Sequence, residues 1–257
     1  MIVKPTMSKK SKILLVSGCS NTDENFYSEI HPHLDTSWSK WPELLAKKLD
    51  MNYVNLGKSG AGNEYIYTSL LNYIARNDTS NIGVVIPAWS QCQRKDFQHG
   101  NNGRWTNERI DPHGDVFSWV TKSLTYYLSF QVMCEKYNLP YLQVQMLDLY
   151  QDWLNGLKPR ALTNWKDTYA GKNDILITYP GDKQKDTKKI VKIINDYEDI
   201  INTKKFIGWP LSRQLGGFSL QKELISLETK TKISDLDSHP TALGHKKIAE
   251  FIYDRLD

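Results

Sequence analysis

Ile13-Leu14-Leu15-Val16 is an unbroken aliphatic run, closed by Ser17-Gly18 and followed by Cys19-Ser20. Four apolar residues with no polar interruption read as a strand buried on both faces, and the glycine ends it. The same shape recurs at Tyr53-Val54-Asn55-Leu56, stopped by Gly57, at Ile82-Gly83-Val84-Val85-Ile86, and at Tyr141-Leu142-Gln143-Val144-Gln145-Met146-Leu147. Helical patterns lie between these runs. Residues 42–49 are amphipathic with Pro42 near the first turn. Gly60-Ala61-Gly62-Asn63 opens a helix whose Ile66, Leu70, Leu71 and Ile74 recur at helical spacing, 117–137 reads as a long helix, and 242–256 places Ile248, Ala249, Ile252 and Leu256 on one face. Such strand–helix alternation predicts an α/β domain with a mostly parallel sheet and helices on both faces. Sites in these sheets form beyond the carboxyl ends of the strands. Ser20, residues 57–63 and residues 89–94 each follow a predicted strand, so they are expected on one edge.

The chain has 257 residues, 40% of them hydrophobic, which suits one large domain with a full core. The net charge of +4 comes from 33 basic and 29 acidic residues, interspersed. No dense basic face or nucleic-acid motif is present, so no nucleic-acid partner is expected. The most basic stretch, Lys183, Lys185, Lys188, Lys189 and Lys192, is interrupted by Asp182 and Asp186 and reads as a solvated face. Cys19, Cys92 and Cys134 are far apart, odd in number and lack metal-ligand spacing, which points to a reduced, cytoplasmic protein. Lys9, Lys10 and Lys12 precede an apolar run too short for a secretion signal or membrane span. No membrane partner is expected, and no oligomeric state is legible. Residues 150–231 break the rhythm with Trp153, Trp165, Tyr169, Tyr179, Trp209 and Phe218 among Pro159, Pro180 and Pro210. They read as an insertion or lid over the strand ends, within a single domain spanning 1–257.

A serine hydroxyl needs a base to take its proton, the base needs an acid to orient it, and the developing oxyanion needs fixed donors. Ser20 sits where the first strand is expected to turn into a helix, with free backbone N–H groups. Asp237-Ser238-His239-Pro240, ahead of the last helix, offers the acid and base. Gly60, after the second strand, can turn a bare N–H toward a ligand.

In these blocks the chain resembles the SGNH (GDSL-like) hydrolases. Gly18-Cys19-Ser20 matches the family's Gly-Asp-Ser centre, Asn55-Leu56-Gly57-Lys58-Ser59-Gly60 its Asn and Gly block, and Asp237-Ser238-His239-Pro240 its terminal Asp and His block. The likeness covers about 12–147 and 232–257, and its Gly-Cys-Ser and Trp-Ser variants look like a divergent branch often seen in tailed-phage genomes. It implies a three-layer αβα sandwich on a flavodoxin-like sheet. It also implies a serine esterase without cofactor or metal: Ser20 as nucleophile, His239 as base, Asp237 as acid, and the N–H groups of Ser20 and Gly60 as oxyanion donors. The expected substrate is a small-molecule or carbohydrate ester. The expected location is the cytoplasm, or host cytoplasm or virion for a phage-encoded chain.

Three departures stand out. The family spaces its acid and base as Asp-x-x-His, whereas Asp237 precedes His239 by two residues and Asp235 by four, leaving Asp235 as the alternative. Cys19 replaces the Asp of the first block. In the third block Ala88-Trp89-Ser90-Gln91-Cys92 has no Asn, so Gln91 or Ser90 is the candidate third donor. A catalytically weak or inactive binding or virion-associated module is therefore the alternative, with acyl transfer to another acceptor as a third reading. Asn63 is read as a helix cap or a substrate contact, Trp89 as a substrate contact, and Arg94 as an anchor for a carbonyl or anion or a surface ion pair. Trp105, Trp153, Trp165 and Trp209 form either a sugar-stacking platform or a small core. His31 and His33 read as surface residues, His245 as packing near the last helix, and Cys19 as a buried structural thiol.

Overall fold

In the computed structural model, residues 12–99, 103–156, 179–225 and 228–256 are described. Pro159, Trp165 and Tyr169 lie outside them. Five parallel strands form the central sheet in the order β2-β1-β3-β6-β7. They are β1 (Ile13–Gly18), β2 (Asn52–Asn55), β3 (Ile82–Trp89), β6 (Gln143–Gln145) and β7 (Phe206–Ile207). Between β3 and β6 a separate antiparallel hairpin, β4 (Lys95–His99) and β5 (Arg104–Glu108), stands apart.

Alternation along β1 sorts its side chains into two cores. Leu14 and Val16, with Val84, Ile86 and Val144, face Trp41 and Leu45 of α1 (Trp41–Leu49) and Ile248 and Ile252 of α6 (Ala242–Tyr253). Leu15, Val85 and Trp89 face Ile66 and Leu70 of α2 (Asn63–Arg76) and Leu124 and Tyr127 of α3 (Val116–Lys136). Ile190 and Ile194 of α5 (Lys183–Asn195) join that second core. The short helix α4 (Gln151–Leu154) follows β6. The result is the three-layer α/β arrangement, with order 2-1-3 placing a topological switch between β1 and β3.

Three local outcomes differ from the sequence pattern. No helix follows Ser20: the chain makes a tight turn, with Thr22 N–H and Asp23 N–H donating to the Cys19 carbonyl at 2.8 and 3.0 Å, and α1 begins only at Trp41. The β4–β5 hairpin is polar and presents no apolar run in the sequence. The segment 150–231 is not wholly an insertion, because Phe206–Ile207 pairs with β6 as the sheet's fifth strand. A two-residue strand carries too little pattern to read. No helix among the described residues is long and apolar enough to cross a membrane.

Candidate active site

Ser20 leaves β1 at the switch point and is partly exposed. His239 and Asp237 are held in the turn before α6, both nearly buried. That turn is closed by Ile233 N–H donating to the His239 carbonyl at 2.9 Å and Ser234 N–H to the Asp237 carbonyl at 3.0 Å. Ser20 Oγ lies 2.7 Å from His239 Nε2, and His239 Nδ1 lies 2.5 Å from Asp237 Oδ1. The two ends of the chain thus meet in one hydrogen-bonded line across 219 residues of sequence. Asp235 is placed elsewhere: its side chain is 86% exposed and pairs with Lys232. The tight turn explains the short Asp-x-His spacing. Asp237 Oδ1 also accepts the backbone N–H of His239 at 3.1 Å, so acid and base share one turn.

Burial pushes the Asp237 carboxyl up, but the His239 hydrogen bond and charge, together with the Ser28 hydroxyl, outweigh it and hold the group well below the usual carboxylate range. It is therefore ionised at neutral pH, as an acid that stabilises an imidazolium must be. Ser28 Oγ donates to Asp237 Oδ2 at 2.5 Å, and Phe26 lies against the His239 ring at 4.3 Å between centroids. His31 Nε2 is 2.8 Å from Ser234 Oγ, which in turn accepts the Asp237 N–H at 3.0 Å. The irregular loop after Ser20 is thus a cradle for the acid–base pair. Sequence reasoning missed Phe26 and Ser28, since neither lies in a strand-end block.

The loop after β2 is laced to the loop after β1. Asn55 Nδ2 donates to the Thr22 carbonyl at 2.7 Å and Asn55 Oδ1 accepts Gly57 N–H at 2.9 Å. Asp23 Oδ2 accepts the Ser59 N–H at 2.8 Å and its hydroxyl at 2.6 Å. Gly57 lets the two loops touch, since a Cβ there would stand 2.9 Å from the Thr22 carbonyl carbon. Gly60 has φ of +80°, a conformation that glycine adopts without strain. Among the described residues, neither the Ser20 nor the Gly60 N–H has an acceptor.

The residues after β3 are engaged with one another. Trp89 is fully buried and its Nε1 donates to Gln143 Oε1 at 3.0 Å, so it is core rather than a substrate wall. Ser90 N–H donates to Asn63 Oδ1 at 2.7 Å, and Asn63 Nδ2 donates to the Ser90 carbonyl at 3.2 Å. Asn63 is thus neither a cap nor a substrate contact: the cap position of α2 is Gly62, and Asn63 staples the β3 loop in place. The Ser90 hydroxyl is buried. Gln91 donates to Asp152 Oδ2 at 2.9 Å and accepts from Arg94, whose Nη1 also donates to the Ala61 carbonyl at 3.0 Å. Arg94 therefore ties loops together rather than standing free as an anchor.

Cys19 is fully buried in the core. Trp153 packs edge-on against Trp119 and Trp209 against Phe206, and both pack on the buried core, the second of the two readings the sequence offered for them. Trp105, on β5, lies edge-on to Tyr65 with centroids 5.4 Å apart, and its carbonyl accepts from Lys58 Nζ of the Gly60 loop. No group of three or more His, Cys, Asp or Glu among the described residues is arranged to hold a metal ion.

No family model matches the chain, and no curated protein matches it significantly. Among solved structures, it is similar to the lipase Lip_vut3 from a goat rumen metagenome, at 10% identity and TM-score 0.49, over 96% of this chain and 100% of that one. It is similar to the psychrotrophic esterase EstA from Pseudoalteromonas sp. at 12% identity and TM-score 0.47, over 95% and 96%. It is also similar to the acetyl xylan esterase AlAXEase at 12% identity and TM-score 0.41, over 94% and 98%. At such identities and TM-scores these likenesses carry no chemistry over to this chain.

Proposed function

We propose that this chain is a serine esterase of the SGNH type acting on a short acyl ester. The observation that carries this reading is the continuous line Ser20 Oγ, His239 Nε2, His239 Nδ1, Asp237 Oδ1, with separations of 2.7 and 2.5 Å. In the reaction, Ser20 Oγ attacks the ester carbonyl carbon as its proton passes to His239 Nε2. The carbonyl oxygen takes the charge and is held by the Ser20 and Gly60 N–H groups. His239 returns the proton to the leaving alkoxide, releasing the alcohol and an acyl-Ser20 ester. Water, activated by His239, then attacks that ester and releases the acid. Asp237 stays ionised throughout and stabilises the imidazolium.

O-acetylated carbohydrate is the substrate class we put first, because Trp105 is partly exposed and its backbone is bonded to Lys58 of the Gly60 loop. The test is turnover of p-nitrophenyl acetate and of acetylated xylan by the wild type and Ser20→Ala. Loss of turnover in the variant supports the reading, and unchanged turnover removes Ser20 from the mechanism.

One observation favours a slower enzyme as the second reading. Among the described residues the Gln91 side-chain amide already donates to Asp152 and the Ser90 hydroxyl is buried, so neither candidate third donor is presented to an acyl oxygen. One missing donor weakens transition-state stabilisation by about 2.7–4 kcal/mol.

A further inference from the structure

The β4–β5 hairpin supplies none of the triad, yet Asp96, Trp105 and Asn107 all bond to the segment 58–65. Register pairs Asp96 with Asn107 and Gln98 with Trp105, so alternation puts these four on the same face. Asp96 is 3% exposed; its Oδ1 accepts the Gly62 N–H and its Oδ2 the Tyr65 N–H, each at 2.9 Å. The cap position of α2 is Gly62, which has no side chain to cap the helix, and Asp96 satisfies the first amides from a distant strand.

The grip covers the loop residue by residue. Lys58 Nζ donates to the Trp105 carbonyl, and Asn107 Nδ2 to the Ser59 carbonyl at 3.3 Å. The Asn107 side chain occupies the space a Gly60 side chain would need, its Oδ1 2.5 Å from that Cβ position. Arg94, just before β4, holds the Ala61 carbonyl, and Asp96 holds Gly62. Every residue from 58 to 62 therefore touches the hairpin or its lead-in. Burial raises the Asp96 carboxyl, against the pull of the two amides and of Arg94 and Lys122.

We propose that Asp96 is a positioning residue for the esterase reaction: through the Gly62 and Tyr65 amides it fixes the 58–62 loop and so aims the Gly60 N–H at the acyl oxygen. The proposal rests on the esterase reading, and its test separates the two. Wild type, Asp96→Asn, Asp96→Ala and Asn107→Ala are compared in three measurements. These are kcat and KM on p-nitrophenyl acetate, active-site titration with a fluorophosphonate, and amide hydrogen exchange across 58–65.

The expected result for Asp96→Ala is a fall in kcat per titrated site on the order of 10- to 100-fold at nearly constant KM. Gly62 and Tyr65 amides should exchange faster, and Asp96→Asn, which keeps the shape and one acceptor, should fall between wild type and alanine. A purely structural role would lower the titrated fraction and leave kcat per site unchanged, and that outcome overturns the proposal. Should the wild type itself not turn over ester, the esterase reading fails. Exchange then decides for Asp96 alone: faster exchange in Asp96→Asn retains its hold on the loop, and unchanged exchange overturns it.

Discussion

Asp237 and Asp235 are two residues apart, yet only one can serve His239. Asp237 is nearly buried, 2.5 Å from Nδ1 and held ionised; Asp235 is in solvent beside Lys232. Asp237→Asn should lower kcat by about 10⁴-fold, because an amide cannot stabilise the imidazolium and favours the wrong tautomer. Asp235→Asn should leave kcat unchanged, and steady-state kinetics on a short ester checks both. Ser28 is subtler. Its hydroxyl satisfies the second carboxylate oxygen, so Ser28→Ala should lower kcat by roughly 10-fold, a cost of about 1.4 kcal/mol, with little change in KM. A wild-type rate in Ser28→Ala would show that the carboxylate keeps its pose without this donor.

At the scale of elements, the blocks 18–20, 55–60 and 237–240 were legible because each lies at the end of an aliphatic run or before a strongly patterned helix. The residues that hold those blocks were not. Ser28, Asp96 and Asn107 come from a long loop and a polar hairpin, where contacts are set by tertiary approach and leave no periodic trace. For the same reason Asn63 and Arg94 were readable as site residues by position, while their real partners, Ser90 and Ala61, were not. His245 joins two elements: its Nδ1 accepts the Trp41 N–H at 3.2 Å, tying α6 to the start of α1. Burial first, then the Lys40 and His239 charges, lower it to about 3. Between about pH 6.5 and 3 the unfolded chain therefore binds a proton that the folded one refuses. Stability is unaffected by this group above that window and falls within it as pH drops, by at most about 1.4 kcal/mol per pH unit. His245→Asn, which keeps an acceptor for Trp41 N–H, should flatten the loss of stability between pH 6.5 and 4.5 in urea titrations. An unchanged slope would mean that His245 is not neutral in the fold.

Across the whole molecule, the α/β class followed from alternation, whereas the fifth strand and the hairpin required the third dimension. The two cores are independent layers on opposite sheet faces, one carrying Leu70 and Trp89 and the other Trp41 and Ile252. Leu70→Ala, fully buried under the sheet, should destabilise by about 2–5 kcal/mol in urea denaturation while leaving kcat per titrated site intact, because the site lies at the strand ends rather than in the layer. Only the sheet edge brings Ser20 and His239 together, and their activation of each other is the central claim. Incubation with a fluorophosphonate followed by peptide mapping tests it most directly. A single covalent adduct on Ser20, lost in His239→Ala, is the predicted result; an unmodified Ser20, or labelling undiminished in His239→Ala, would contradict it.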